Sequence, residues 1–331
     1  MTNKTCRVEQ YHLLSLFRLG REVTQMSVRL GVALVLGLCA VSQPFRSAWL
    51  KTSEAHLNTA AEAQAKRAGL GASFKGPLGL QLYSLRKQFE ADGVAATLAR
   101  VRAFGFREVE TAGYYGLTAQ AFRAELDKAG LRAVSMHVDY DDVRLKASDI
   151  VSDAKVLGVE YVVCPWIPHE GAFTAERAQQ AVLVFNQAGA VFKAAGLKFC
   201  YHPHGYEFQP AAEGTLFDWM VAQTKPELVS FQLDVFWATH AGQDAARLLQ
   251  KYPRRFVMAH LKDLRKDVKG DLTGDTTDDT SVALGAGKVD WAAVLRAAKQ
   301  AGVQWYFIEA EELEVVAHIP LSLRFLERLR F

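Results

Sequence analysis

The chain has 331 residues, 50% hydrophobic and 23% charged, which is enough to bury a large core and far from disordered or disulfide-rich compositions. Five of its 39 basic residues and two of its 36 acidic residues fall in positions 1–42, so the formal charge of +3 leaves a remainder balanced at 34 of each. A neutral body of this kind has no electrostatic footprint for nucleic acid or an anionic membrane surface.

In chain order, the first feature is LGVALVLGLCAV at 30–41, an uncharged apolar run preceded by Arg29 and too short to cross a bilayer as a helix. It reads as the apolar stretch of a signal peptide. Ala40, Val41 and Ser42 provide the small residues for cleavage after Ser42, with Met26 as a candidate start. The expectation is a periplasmic or secreted protein with no stable membrane anchor once that segment is removed. The alternative is a cytoplasmic chain in which 1–42 is an extended N-terminus, an anchor or a buried helix. Cleavage would remove Cys6 and Cys39, leaving Cys164 and Cys200, too few for a disulfide scaffold or a thiolate zinc site. Residues 43–76 are Ala-rich and polar, a linker or a loosely docked helix.

From Pro77 the pattern alternates short apolar runs with amphipathic stretches of helix length. The runs place strands near Leu78 to Tyr83, Glu108 to Thr111, Leu131 to Met136, Tyr161 to Cys164, Lys198 to His202, Val229 to Asp234, Phe256 to His260 and Trp305 to Glu309. Several intervening helical patterns stop at a glycine just before the next strand, as a helix C-cap does. Eight such units in roughly 250 residues is the size of a (β/α)8 TIM barrel. The expected fold is therefore α/β, a single barrel domain over 77–331. An open doubly wound sheet is the alternative, but GLQLYSLR follows the first strand in place of a Gly-rich phosphate fingerprint.

The last four strands each end in a residue able to bind a metal: His202, Asp234, His260 and Glu309. Strand side chains alternate faces, so the four can be tested for a common direction. With His202 inward, Phe199 and Tyr201 face the helices. With Asp234 inward, Ser230 and Gln232 share the axis while Phe231 and Leu233 face out. His260 inward leaves Val257 and Ala259 outward, and Glu309 inward leaves Tyr306 and Ile308 outward. The set offers nitrogen and oxygen donors and no thiolate. It suits one divalent metal ion, manganese or zinc first, with cobalt, iron and magnesium behind them.

The segment from about 77 to the C-terminus resembles the xylose isomerase-like TIM-barrel superfamily, in its sugar phosphate isomerase/epimerase branch. The matching pieces are GLQLYSLR, FCYHPHGYEF, VSFQLDVFW, VMAHLKD, the GAGKVDW turn and WYFIEAEE. The resemblance implies a metal held by residues of the fifth to eighth strands, with Asp234, His260 and Glu309 matching the last three directly. The fifth strand departs from the pattern, since His202 stands where the family has a Glu. Either His202 is the ligand or Glu207 reaches back. His202 is preferred because Glu207 lies beyond the strand in a Gly-containing loop.

A metal beside a sugar carbonyl makes the proton on the adjacent carbon removable, given an acid or base on each face. Candidates for that work are Glu207, His204 and Lys262, the last two sharing the inward parity of His202 and His260. Glu110, His137, Trp166 and Trp237 are candidates for binding the substrate, the tryptophans as platforms for a sugar ring. Residues 265–282, acidic and rich in Gly and Thr, are a candidate lid on the same face. The expected activity is that of a sugar isomerase or epimerase working by enediolate-type proton transfer, on a sugar, a keto sugar or an oxidised glycoside. A lyase or hydrolase of 3-keto-glycosides on the same site is the alternative. Two further rivals are a DNA-repair endonuclease of the same superfamily, which the neutral charge disfavours, and a non-catalytic sugar-binding barrel. The partner is a small carbohydrate, and a homo-oligomer is compatible with the sequence.

Overall fold

The computed structural model describes residues 68–331. The signal-like segment, its cleavage site and residues 43–67 of the expected linker lie outside the described residues. Eight parallel strands close into a barrel: β1 (Leu78–Gln81), β2 (Glu108–Thr111), β3 (Arg132–His137), β4 (Tyr161–Cys164), β5 (Lys198–Tyr201), β6 (Val229–Asp234), β7 (Phe256–Leu261) and, after an insertion, β10 (Trp305–Ile308). Neighbours in sequence are neighbours in the barrel, and β10 closes it by pairing with both β7 and β1. This is the expected (β/α)8 architecture. A short antiparallel ribbon of β8 (Asp263–Leu264) and β9 (Ser281–Val282) was not foreseen. It pins the two ends of the 265–282 insertion together.

Side-chain alternation builds two separate cores. Phe199, Tyr201, Phe231, Leu233, Tyr306 and Ile308 face outward into the layer between strands and helices, where Phe185 of the helix Ala175–Ala194 meets Phe199 and Tyr201 and Phe192 meets Phe199. Val134, Tyr161, Val163, Cys200, Met258 and Phe307 point inward and fill the barrel with a compact apolar plug. Val257, expected to face outward, packs instead against this plug. The β6–β7 register shifts between Phe231 and Gln232, which offsets the simple alternation there.

Local signals account for most element boundaries. The helix Ala119–Ala129 starts at Thr118, whose hydroxyl accepts from the Ala121 N–H, and the helix Leu216–Gln223 starts at a reciprocal Thr215–Asp218 capping box. The helix Trp291–Ala301 ends at Gly302 with φ 86°, a left-handed cap that leads directly into β10. The described part of the expected linker, residues 68–76, is docked rather than loose. Phe74 is buried edge-on against Tyr306, and the Gly69 N–H donates to Glu327.

Candidate metal centre and its cavity

Asp234, His260 and Glu309 come together at the C-terminal ends of β6, β7 and β10, with donor atoms within 4.8 Å of one another. His202, the residue after β5, adjoins them: its Nε2 lies 3.7 Å from Asp234 Oδ2, as does His260 Nδ1. The four residues expected to share a cation are thus gathered in one place. His137, at the end of β3, forms a second compact group with His202 and His260.

Asp234 has two jobs. It is the N-cap of the short helix Val235–His240, and Oδ1 accepts from the Trp237 N–H at 3.0 Å. Its Oδ2 is buried and has no hydrogen-bond partner among the described residues. An unpaired buried carboxylate oxygen costs more than about 1 kcal/mol unless something positive meets it. The nearest protein groups are imidazole nitrogens at ion-pair rather than hydrogen-bond distance. A mixed set of imidazole and carboxylate donors with an orphaned oxygen at its centre fits a borderline divalent cation.

Beneath this cluster lies a further buried carboxylate, Glu110 on β2. It accepts from Gln81 Nε2 at 2.9 Å, Ser135 Oγ at 2.6 Å and Gln232 Nε2 at 2.8 Å, and meets the Nε2 atoms of His137 and His260. Burial alone would raise the Glu110 carboxyl, but His137 and His260 hold it well below the usual carboxylate range. Burial likewise opposes a charged His260, yet Glu110 below and Glu309 at 2.7 Å from Nδ1 raise it well above the ordinary histidine value. Lys262 and His260 outweigh burial at Glu309 and keep it ionised. His202 is pushed down to about 4 by burial and by His260, so it stays neutral. Burial and the neighbouring His202 hold His204 well below its ordinary value as well.

The cluster opens into a cavity of about 990 Å3 lined by His137, Trp166, His202, His204, Trp237 and Glu309 among others. Trp166 stands edge-on to His204 at 5.4 Å between centroids, and Trp237 lies 5.2 Å from the same ring. Thr273 to Thr276 and Asp278 of the insertion also line the cavity, so the candidate lid segment forms part of its wall. Asp278 is tied to the β1 side by Arg86 at 3.0 Å and Lys87 at 2.8 Å.

Three expectations are corrected. Glu207 does not reach the cavity. Gly205, at φ 97°, turns the chain into the 3-10 turn Tyr206–Phe208, and the Glu207 carboxylate folds back to accept from Tyr201 Oη and the His204 and Gly205 N–H groups. Glu110 is completely buried under His260 and does not line the cavity. Lys262 is also buried off the cavity surface. Its Nζ pairs with Glu311 and sits over the rings of Phe236 and Trp237, and Glu311 and Glu309 raise it despite burial, so it remains a cation and cannot serve as a base. Residues that the strand-end reasoning passed over include Gln81, Ser135 and Glu311. Glu311 was findable, because it repeats the inward parity of Glu309 two residues on.

The fold and the cluster define a barrel enzyme superfamily. A family model described as xylose isomerase-like TIM barrel matches residues 98–329, and the chain belongs to that family. Among curated relatives, the inosose dehydratase of Geobacillus kaustophilus is 24% identical over 251 residues, covering 67% of this chain and 81% of that protein. The inosose dehydratase of Clostridium perfringens is 37% identical over 82 residues, 24% of this chain; the match spans only 27% of that relative. Among solved structures, a sugar phosphate isomerase/epimerase from Parabacteroides distasonis superposes with a TM-score of 0.64 at 25% identity, over 76% of this chain and 98% of that one.

Proposed function

We propose that this chain is a divalent-cation-dependent enzyme that removes a proton from the carbon beside the carbonyl of a keto sugar or inosose. The observation that carries this reading is the buried, unpartnered Oδ2 of Asp234 facing His202, His260 and Glu309. His202, Asp234, His260 and Glu309 would hold the ion. When bound, such an ion polarises a carbonyl and its neighbouring hydroxyl and acidifies the adjacent C–H.

The chain's own residues supply the rest. His204 stands on the cavity wall, its imidazole kept neutral by burial and by the neighbouring His202, and it is the ring that would take up or return a proton. Trp166 and Trp237 flank His204 and offer apolar faces to a sugar ring while keeping water from it. Lys262, fixed by Glu311, keeps Glu309 ionised without entering the cavity. The likeness to inosose dehydratases supports an ending in which a β-hydroxyl leaves as water. The likeness to the Parabacteroides distasonis protein supports the second reading, isomerisation or epimerisation by return of the proton to a neighbouring position or the opposite face.

The test is incubation of manganese- or zinc-loaded protein with inososes and ketoses in D2O, followed by NMR. Deuterium at carbon with loss of water identifies a dehydratase, and deuterium without loss identifies an isomerase or epimerase. A cation-loaded protein that does neither with any keto sugar or inosose overturns the proposal.

A further inference from the structure

Beyond the cluster, the cavity extends into a chamber walled by Tyr114 of the loop after β2 and by Asp139, Asp142, Lys146, Asp149 and Asp153 of the segment after β3. The whole cavity, cluster and chamber together, holds about 990 Å3, at the upper end of the roughly 300–1,000 Å3 range of ligand pockets and more room than a single sugar ring fills. The chamber is acidic. Lys146 is committed to Asp142 at 2.8 Å, while Asp139, Asp149 and Asp153 have no ion pair among the described residues; Asp153 accepts only the Tyr114 hydroxyl, at 3.0 Å.

The positions from which a phosphate would be held are already taken. Arg86, the other cation on the cavity wall, is engaged by Asp278 at 3.0 Å and by Glu311 at 3.5 Å. The helix Tyr140–Leu145, which opens beside the chamber, carries Asp141 and Asp142 in its first turn, where an anionic ligand would otherwise be favoured. Carboxylates without cationic partners accept well from sugar hydroxyls and repel a phosphate dianion.

Resting on the proposed function for the reacting ring, we propose that the substrate is a non-anionic polyol with a second ring or chain. The reacting ring sits at the His202–Asp234–His260–Glu309 cluster and the remainder lies in the acidic chamber, with Asp149 as a specificity-determining residue. Phosphorylated sugars are turned away.

Calorimetric titration of the cation-loaded full chain with fructose, isomaltulose and fructose 6-phosphate tests this, because the last two carry a neutral sugar or a phosphate on the same oxygen. Isomaltulose should bind ~10-fold tighter than fructose, and fructose 6-phosphate ~10-fold weaker, the cost of a like-charge contact. Asp149→Lys should tighten fructose 6-phosphate ~10-fold relative to fructose measured on the same variant. Asp149→Asn, which keeps size and polarity, should give a smaller gain in the same direction. Fructose 6-phosphate binding as tightly as isomaltulose, or an Asp149→Lys variant that folds and shows no gain, overturns the inference while leaving the proposed function standing. Absence of both binding and deuterium exchange with all three sugars and with inososes sinks the two together.

Discussion

His260 occupies the pivot of the cluster, with Glu309 on Nδ1 and Glu110 on Nε2. A carboxylate on the far nitrogen fixes ring orientation and strengthens the near nitrogen as a donor to a cation. Glu110→Gln should therefore weaken zinc or manganese binding ~10–100-fold by calorimetry while the protein stays folded. An unchanged affinity would show that Glu110 merely fills the barrel. Glu207 makes a different kind of prediction. Burial pushes its carboxyl up to about 7 against the hydrogen-bond donors that favour the charged form. A carboxyl whose folded value lies above its unfolded value holds its proton more tightly when folded, so stability falls as pH rises from about 4.5 to 7 and is level beyond. By about 1.4 kcal/mol per unit, wild type should lose up to about 3 kcal/mol over that interval relative to Glu207→Gln. Urea unfolding of both proteins at pH 5 and pH 8 measures it, and a difference that is constant or grows with pH contradicts the assignment.

At the level of elements, the GAGKVDW turn owes its shape to one side chain. The Asp263 carboxylate accepts from the Gly285, Gly287 and Val289 N–H groups and from Trp291 Nε1 at 2.8–3.2 Å, clamping the turn to the ribbon strand β8. A Cβ on Gly287 would lie 2.1 Å from Asp263 Oδ1 and 2.4 Å from the Leu264 carbonyl oxygen. Gly287→Ala should cost about 2–4 kcal/mol in chemical denaturation, from overpacking plus a broken carboxylate network; a loss below 1 kcal/mol would mean that the turn relaxes freely. The turn was visible in the sequence as a motif, but its partner was not. Asp263 read as the tail of VMAHLKD, and a two-residue strand is too short to carry a periodic signal. Arg86 was hidden for a related reason, since its partner Asp278 lies 192 residues away and nothing local marks the pair.

Taken as a whole molecule, the barrel was legible because its eight strands repeat one pattern and the side-chain period of 2 is rigid within each. That same rule found His202, Asp234, His260 and Glu309 without any contact information. It failed where the backbone leaves the strand, as at Gly205, which swings Glu207 away from the mouth. It also failed to say how deep an inward residue sits, which is why Glu110 was expected at the substrate and lies under His260 instead. The apolar plug of Val134, Tyr161, Val163, Cys200, Met258 and Phe307 closes the barrel below the cluster, so the cavity is a blind well. Whatever is made there must leave by the opening through which its precursor came. A product lingering in the well bars the next arrival, so under the proposed function product should inhibit competitively against substrate.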